Sequence, residues 1–160
     1  TALLVELEEL CRHGVKLRVS GRRWALPKPL QRALLNAEAA TAENTSMVLN
    51  LCVNYGGQVE IVDAAKSIVR DVQAGKVSCD EIDEELFARY LYVPDIPPVD
   101  LLIRPGGDLR VSNFMLWQIA YAEFYSMTKY WPDFQAEDLD EAIAEYSRRQ
   151  RRFGGLVLDD

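Results

Sequence analysis

The sequence predicts an α/β fold in which a mainly parallel sheet is flanked by helices. Two kinds of segment alternate along the chain: short apolar runs typical of buried strands, and stretches with apolar residues at helical spacing. Two of the apolar runs lead into glycine pairs, Gly56-Gly57 and Gly106-Gly107, as strands do at ligand-binding turns of such folds. The length of 160 residues suits one core, so we expect a single domain over residues 1–160.

The amino-terminal segment predicts a helix followed by a strand. Five apolar residues fall on one face of a helix that Gly14 would end; they are Leu3, Leu4, Leu7, Leu10 and Cys11. Val15, Leu17 and Val19 then alternate with polar residues as far as Gly21. That period is typical of a strand with one wetter face.

The middle of the chain continues the alternation. A second helix begins around Pro29 and fades by Asn44, and an apolar strand follows from Met47 to Tyr55. Apolar residues at helical spacing from Ile61 to Val72 predict a third helix, which stops at Gly75.

Weaker signals mark the remaining boundaries. Ser78 and Glu81 form a capping-box pattern at the start of a further helix. The proline-rich stretch from Asp95 to Pro98 is predicted to be a linker. The last helix runs from about Glu137 to Arg152.

The segment from Pro98 to Tyr125 organises the chain. Val99 to Ile103 predicts a buried strand, and Arg104 stands where that strand should stop. After a glycine loop, Ser112 or Asn113 would cap a buried helix that begins near Phe114.

This order of strand, loop and helix favours an anionic ligand. Arg104 and Arg110 supply planar guanidinium groups, and the free N–H groups of the predicted helix would add positive potential. A phosphate or diphosphate is therefore the expected ligand. Glu123 falls within the predicted helix, where a buried carboxylate needs a cation.

Composition excludes several other classes of protein. The net charge of −7 argues against general nucleic-acid binding, which requires a basic surface. Cys11, Cys52 and Cys79 have neither the even number of a disulfide framework nor zinc-site spacing. No apolar run approaches the roughly 20 residues that span a bilayer. We expect a cytoplasmic protein whose contact with membranes is at most peripheral.

Five motifs stand in one order towards the end of the chain: Arg104 to Phe114 (RPGGDLRVSNF), Leu116-Trp117-Gln118, Ala120-Tyr121, Glu123 and Trp131-Pro132-Asp133-Phe134. This series closely resembles the carboxyl-terminal signature of the cis-prenyltransferases. The resemblance extends through Asn50 and Asn54-Tyr55-Gly56-Gly57 to the run from Arg151 to Gly155, and so covers nearly the whole chain.

The resemblance implies an activity and a binding site. Members of the family condense isopentenyl diphosphate with an allylic diphosphate and build long-chain cis-polyprenyl diphosphates. By resemblance, Arg104, Arg110 and Ser112 hold the diphosphate of isopentenyl diphosphate, and the backbone around Val111 helps. Glu123 matches the family's magnesium-linked glutamate, so Mg²⁺ is the expected cofactor.

The resemblance also implies a product tunnel, and the length of the predicted helix suggests a homodimer. Met47, Leu49 and Leu51 share one face of a strand that resembles the tunnel floor, where side-chain bulk limits product length. If residues 112–123 were continuous helix, Ser112 and Glu123 would lie about 16 Å apart. We therefore hypothesise that Glu123 or a neighbouring part of the site acts across a two-fold dimer interface.

The sequence departs from the family in one large respect. The family's opening strand carries an Asp-Gly-Asn-Gly-Arg-Trp-Ala motif, whose aspartate anchors magnesium and the allylic diphosphate, and these 160 residues contain no such run. We expect a fold like the carboxyl-terminal part of such a synthase, without the family's amino-terminal strand and helices. No catalytic residue is then assigned to this chain, and we expect little turnover from it alone.

Smaller departures concern single positions. Arg22 and Gln58 stand where relatives often have an acid and an arginine. Leu109 stands where some relatives have a histidine near the metal, and leucine has no ligand atom.

Alternatives stay open at this point. The chain could be a non-catalytic partner subunit that keeps one diphosphate site, or an unrelated nucleotide-binding α/β protein, although it has no G-x-G-x-x-G fingerprint. The arginines at the end of the last helix could offset its dipole or bind an anionic membrane or a diphosphate; they are Arg148, Arg149, Arg151 and Arg152.

Overall fold

The computed structural model describes residues 2–149, and the side chains of residues 6–149. The chain forms two compact units, Thr1–Ile96 and Pro97–Asp160. The boundary between them falls inside the predicted linker from Asp95 to Pro98. The single domain over residues 1–160 stays a prediction.

The first unit contains two parallel strands and four α-helices within the described residues. Their order is α1 (Ala2–Arg12), β1 (Val15–Ser20), α2 (Lys28–Ala40), β2 (Met47–Cys52), α3 (Gly57–Gln73) and α4 (Glu84–Ala88). Short 3₁₀ turns lie at Arg23–Ala25 and Cys79–Glu81. The register of β1 with β2 runs from Val15 opposite Met47 to Ser20 opposite Cys52.

The core of this unit is built on one face of the strand pair. Leu17 and Val19 of β1 are buried against Leu34 and Ala37 of α2. The alternation that predicted β1 is therefore confirmed, because its valines and leucine enter the core while the residues between them face the other side. Leu7 and Leu10 of α1 pack on the same cluster. The side chains of Leu3 and Leu4 lie outside the described residues.

The backbone segments that follow β1 and β2 approach each other closely at Gly21 and Val53. Gly21 has φ +121°, and a Cβ atom there would lie 2.1 Å from the carbonyl oxygen of Val53. The Val53 N–H donates to the Ser20 carbonyl at 2.9 Å. Strand β2 ends at Cys52, earlier than the predicted Tyr55, because the chain turns here through Asn54 with φ 50°.

The second unit contains the strand pair that carries the family motif. Its described elements are β3 (Leu101–Pro105), β4 (Glu123–Met127), a 3₁₀ turn at Trp131–Asp133 and α5 (Ala136–Arg148). The strands are parallel and pair from Leu101 opposite Glu123 to Pro105 opposite Met127. Helix α5 packs on β4, and Lys129 Nζ binds the buried Asp138 carboxylate of α5 at 2.6 and 2.8 Å.

The predicted buried helix from Phe114 to Tyr125 is wrong. Turns occupy residues 112–121, and the last part of the segment is strand β4. Ser112, Asn113 and Met115 have φ of 46°, 62° and 46°, and a left-handed residue costs about 1–2 kcal/mol within a right-handed helix. A backbone bond from the Glu123 N–H to the Asp100 carbonyl, 2.9 Å long, joins the segment to the β3 side instead.

Two predicted ends also move. Strand β3 begins two residues later than predicted and includes Arg104, which was placed beyond its end. The predicted end of the last helix at Arg152, and the run from Arg151 to Gly155, lie outside the described residues. Among the helices that the structure describes, none is long and apolar enough to cross a lipid bilayer.

Candidate functional site

The guanidinium group of Arg104 is the centre of a polar cluster at the end of β3. Its Nη1 donates to the Ser112 hydroxyl at 3.2 Å and to the backbone carbonyl of Arg110. Its Nη2 donates to Oδ2 of Asp108 at 3.1 Å. We call Arg104, Asp108, Arg110 and Ser112 the Arg104 cluster.

A carboxylate joins the two arginines of the cluster. Oδ2 of Asp108 also accepts from Nη2 of Arg110 at 2.7 Å, so one oxygen atom lies between two guanidinium groups. The Arg104 side chain is 26% exposed and that of Arg110 is 69% exposed. Arg104 is thus the fixed, partly buried member, and Arg110 reaches the same oxygen from solvent.

Backbone bonds to the end of β4 hold the loop of the cluster in place. The N–H groups of Gly106 and Gly107 donate to the carbonyls of Lys129 and Met127 at 2.9 and 2.8 Å. The hydroxyl of Ser126, which lies opposite Arg104 in the strand register, donates to the Asp108 carbonyl at 3.1 Å. Both glycines have positive φ, 99° and 78°, so the loop uses the freedom that a Gly-Gly pair provides.

The positive potential of the cluster comes from side chains. A helix amino terminus was predicted at Ser112 or Asn113, and its N–H groups and dipole were expected to contribute. No helix begins there, so that contribution is absent. The carbonyl of Val111, whose backbone was also expected to help, accepts the Phe114 N–H at 3.0 Å in a turn.

Glu123 lies apart from the Arg104 cluster. It opens β4 opposite Leu101, three strand positions, or about 10 Å, from the level of Arg104. The dimer hypothesis rested on a continuous helix between Ser112 and Glu123, and that premise is wrong. Action across a dimer interface stays a prediction without it.

The cation that Glu123 requires is supplied by Arg149. Nη1 of Arg149 lies 3.0 Å from Oε2 of Glu123 and also donates to the Phe124 carbonyl at 3.0 Å. Its Nε lies 3.5 Å from Glu145. These carboxylates, Glu123 foremost, raise the pKa of Arg149 above its usual value. Arg149 therefore does more than offset the dipole of α5.

A cavity of about 370 Å³ opens between β4 and α5. Apolar side chains, Leu109 and Phe124 among them, line it together with two arginines and two glutamates. These charged residues are Arg148, Arg149, Glu141 and Glu145. Ser126 belongs to its wall and also bonds to the loop of the Arg104 cluster. The cavity thus combines apolar side chains with charged side chains of both signs beside the cluster.

The three predicted tunnel residues lie on β2. Leu49 and Leu51 pack against the buried core cluster of the first unit, whereas Met47 is 56% exposed. Packing alone accounts for the two leucines, and a role in a tunnel stays a prediction.

The contacts of three residues at the site were not predicted from the sequence. Asp108 stands inside the motif between the two arginines, so its charge was a usable signal. Ser126 could be found only once β4 is known to pair with β3. Arg149 was noted as one of several arginines, but its partner Glu123 is 26 residues away and no local pattern joins them.

Comparison with known proteins agrees with the motif. A family model described as putative undecaprenyl diphosphate synthase matches residues 1–154. An isoprenyl transferase of Clostridium perfringens is 48% identical over 151 residues, which are 94% of this chain and 60% of that protein. A tritrans,polycis-undecaprenyl-diphosphate synthase (geranylgeranyl-diphosphate specific) of Pyrococcus horikoshii is 47% identical over 94% of this chain and 57% of its own.

Solved structures share the fold. Lavandulyl diphosphate synthase from Lavandula x intermedia, crystallised with dimethylallyl diphosphate, superposes with a TM-score of 0.91 at 39% identity. The match covers 95% of this chain and 66% of that one. A probable undecaprenyl diphosphate synthase from Campylobacter jejuni gives a TM-score of 0.83 at 31% identity, over 96% and 69% of the two chains. The chain spans about 60% of the length of the curated relatives quoted above.

Proposed function

From the membership of this chain in the undecaprenyl diphosphate synthase family of prenyltransferases, we propose that it forms the isopentenyl-diphosphate-binding part of a cis-prenyltransferase. The reaction condenses isopentenyl diphosphate with an allylic diphosphate to give a long-chain cis-polyprenyl diphosphate. An undecaprenyl product, the type that carries glycan units in cell-wall synthesis, is favoured by the names of the relatives.

The Arg104 cluster carries the proposal. Two guanidinium groups converge on one position, where an oxygen of Asp108 accepts from both arginines, and the Ser112 hydroxyl is bonded to the other terminal nitrogen of Arg104. Guanidinium forks match the oxygens of a phosphate group in charge and in geometry. The diphosphate of isopentenyl diphosphate would bind there, close to the cavity beside β4, which is lined by apolar and charged side chains.

Magnesium is the proposed cofactor, with Glu123 as one ligand. The described residues hold no group of three or more His, Cys, Asp or Glu side chains that could bind a metal by themselves. A lone carboxylate still suits Mg²⁺, which is commonly bound by one or two carboxylates together with substrate phosphates. When bound, the ion would neutralise the departing pyrophosphate. Glu123 would have to exchange its contact with Arg149 for the metal.

Further parts of the proposal concern product length and assembly. Met47, Leu49 and Leu51 would limit the length of the product through their bulk. A homodimer and transient membrane contact during product release complete the picture, with a cytoplasmic location. The limit on product length rests on the family resemblance, and the homodimer on the hypothesis that Glu123 or a neighbouring part of the site acts across a two-fold interface.

Calorimetric titration of the purified chain with inorganic pyrophosphate and with isopentenyl diphosphate tests the binding site. Arg104→Ala is expected to weaken both ligands about tenfold or more, because a charge-assisted bond at a partly buried position is lost. The control is Arg89→Ala, which removes an exposed arginine from α4's end and should leave binding unchanged. Equal affinity of the Arg104 variant and the parent chain would refute the site.

A second candidate function is that of a non-catalytic partner subunit, which would keep the Arg104 cluster as its one diphosphate site. Assays of the chain alone and mixed with a full-length synthase separate the two. A gain of polyprenyl product on mixing supports the partner role. The same yield with and without the chain rejects it.

A further inference from the structure

The carboxylate of Asp108 lies where the proposed function places an oxygen of the substrate diphosphate. Its Oδ2 accepts from Arg104 Nη2 at 3.1 Å and from Arg110 Nη2 at 2.7 Å. A phosphate oxygen bound by the same two groups would need the same donors, because carboxylate and phosphate oxygens are alternative acceptors for a guanidinium fork. The side chain and the ligand therefore compete for one position.

The loop does not need the Asp108 carboxylate to keep its conformation. The backbone carbonyl of Asp108 accepts the Ser126 hydroxyl at 3.1 Å. The N–H groups of Gly106 and Gly107 are bonded to carbonyls at and just after the end of β4. None of these contacts uses the Asp108 side chain, so its position beside the two arginines is not required for the bonds that hold the loop.

Arg104 does not need the carboxylate for its orientation either. Its Nη1 is held separately by the Ser112 hydroxyl at 3.2 Å and by the Arg110 carbonyl. The Asp108 side chain is 41% exposed and has open solvent into which it can turn. The contact between carboxylate and guanidinium groups can thus open without dismantling the cluster.

We infer that Asp108 is an internal competitor that occupies the diphosphate position of the empty site and is displaced when the ligand binds. This inference rests on the proposed function. A tethered competitor reduces the apparent affinity to the intrinsic affinity multiplied by the fraction of time for which the site is open. It also keeps two neighbouring cations paired in the absence of ligand, and it favours release of a bound diphosphate by competing for the same donors.

The test is titration of the full 160-residue chain with inorganic pyrophosphate at constant ionic strength. Asp108→Asn keeps the shape of the side chain and removes its charge, and it should bind pyrophosphate about fivefold or more tightly than the parent chain. Asp140→Asn removes the same charge from an exposed position on α5 and should change the affinity less than twofold. Asp108→Ser serves as a second variant, and thermal melts confirm that both fold.

The possible outcomes distinguish the role of Asp108 as a competitor from the proposed diphosphate-binding function. Unchanged or weaker binding by Asp108→Asn and Asp108→Ser, while the parent chain binds, would overturn the competitor and leave the site intact. An equal gain in Asp140→Asn would also overturn it, because the effect would then be one of net charge. Failure of the parent chain and of every variant to bind pyrophosphate would overturn both.

Discussion

At the scale of single residues, Arg104 shows how one side chain can organise a site. It bonds to the carboxylate of Asp108, the hydroxyl of Ser112 and the carbonyl of Arg110, and all three partners follow it within eight positions of the sequence. Such local contacts can be anticipated from a motif. The contact between Glu123 and Arg149 spans 26 positions and depends on the packing of α5 against β4, which no motif encodes.

The Glu123–Arg149 pair should contribute measurably to stability. The two side chains are 27% and 32% exposed, so solvent screens their attraction only in part. A double-mutant cycle with Glu123→Gln and Arg149→Met should give a coupling free energy of about 1 kcal/mol in urea unfolding. The same cycle with Glu145→Gln in place of Glu123→Gln should give a smaller coupling free energy, because Glu145 lies 3.5 Å from Arg149 Nε. A coupling indistinguishable from zero for the first pair would show that the contact is not maintained in solution.

The stability of the chain should fall in acid because of Asp63. Nε and Nη2 of Arg22 donate to its two carboxylate oxygens at 2.8 and 2.7 Å, and the Tyr92 hydroxyl donates at 2.6 Å. These bonds, those from Arg22 first, lower the pKa of Asp63 from 3.8 to about 2. The unfolded chain therefore takes up the proton first as the pH falls.

The contribution of Asp63 is complete above about pH 4 and is lost as the pH approaches 2. Asp63→Asn should accordingly lower the urea midpoint at pH 6, and its difference from the parent chain should shrink towards pH 2. The exposed Asp140→Asn variant should follow the parent at every pH. A difference that stays constant from pH 6 to pH 2 would contradict the assignment.

At the scale of elements, the segment from Ser112 to Met127 explains why one prediction failed. Its residues are apolar almost all round, a pattern shared by buried helices and by strands buried on both faces. All five residues of β4 are half-buried. The left-handed backbone of Ser112, Asn113 and Met115 distinguishes this segment from a helix. Because none of the three is glycine, their residue types did not predict a positive φ.

Helices and strands with clear boundary residues were predicted well. Strand β1 begins and ends where alternation and Gly21 placed it, and α3 ends just before Gly75. The predicted capping box of Ser78 and Glu81 is present, although it caps the 3₁₀ turn Cys79–Glu81 and a separate cap, Asp83, begins α4. Local chemistry set these boundaries, so sequence sufficed.

Two glycines with positive φ should differ sharply when replaced by alanine. Gly75 has φ +69°, and the position that a Cβ atom would take there is open, with no described atom within 4 Å. Gly75→Ala should cost only the backbone strain, about 1 kcal/mol. Gly21→Ala adds a collision at 2.1 Å with the Val53 carbonyl and should cost about 3 kcal/mol or more.

Urea unfolding of the two glycine variants measures the difference. Because both substitutions add the same methyl group, their comparison isolates the collision from the strain. Similar losses of stability in the two variants would mean that Gly21 and the Val53 carbonyl lie farther apart in solution than in the structure.

At the scale of the whole molecule, composition and periodicity were sufficient to predict the fold class. Both strand pairs are parallel. Helices alternate with the strands in the first unit and α5 follows the second strand pair, which is the composition of an α/β fold. The division into two compact units was not anticipated, although the linker that contains their boundary was. Long-range contacts define such units, and a single sequence does not display them.

Charge also acts differently at this scale. The chain carries −7 overall, yet Arg104 and Arg110 converge at one loop, so the field near that loop opposes the field of the molecule. The local positive field attracts a small anion, whereas the negative field of the whole molecule repels a long polyanion. The exclusion of general nucleic-acid binding therefore stays a prediction consistent with a diphosphate ligand.

The pairing of Arg104 with Ser126 limits how the gene can vary without loss of the site. A one-residue insertion or deletion within β4 would slide the strand past its neighbour and turn the Ser126 hydroxyl to the opposite face of the pair. The loop carbonyl at Asp108 would then lose its donor. Apolar replacements at the three apolar positions of this strand, Phe124, Tyr125 and Met127, are compatible with the pairing, whereas changes of its length are not. We therefore expect insertions and deletions to be rarer than substitutions in β4.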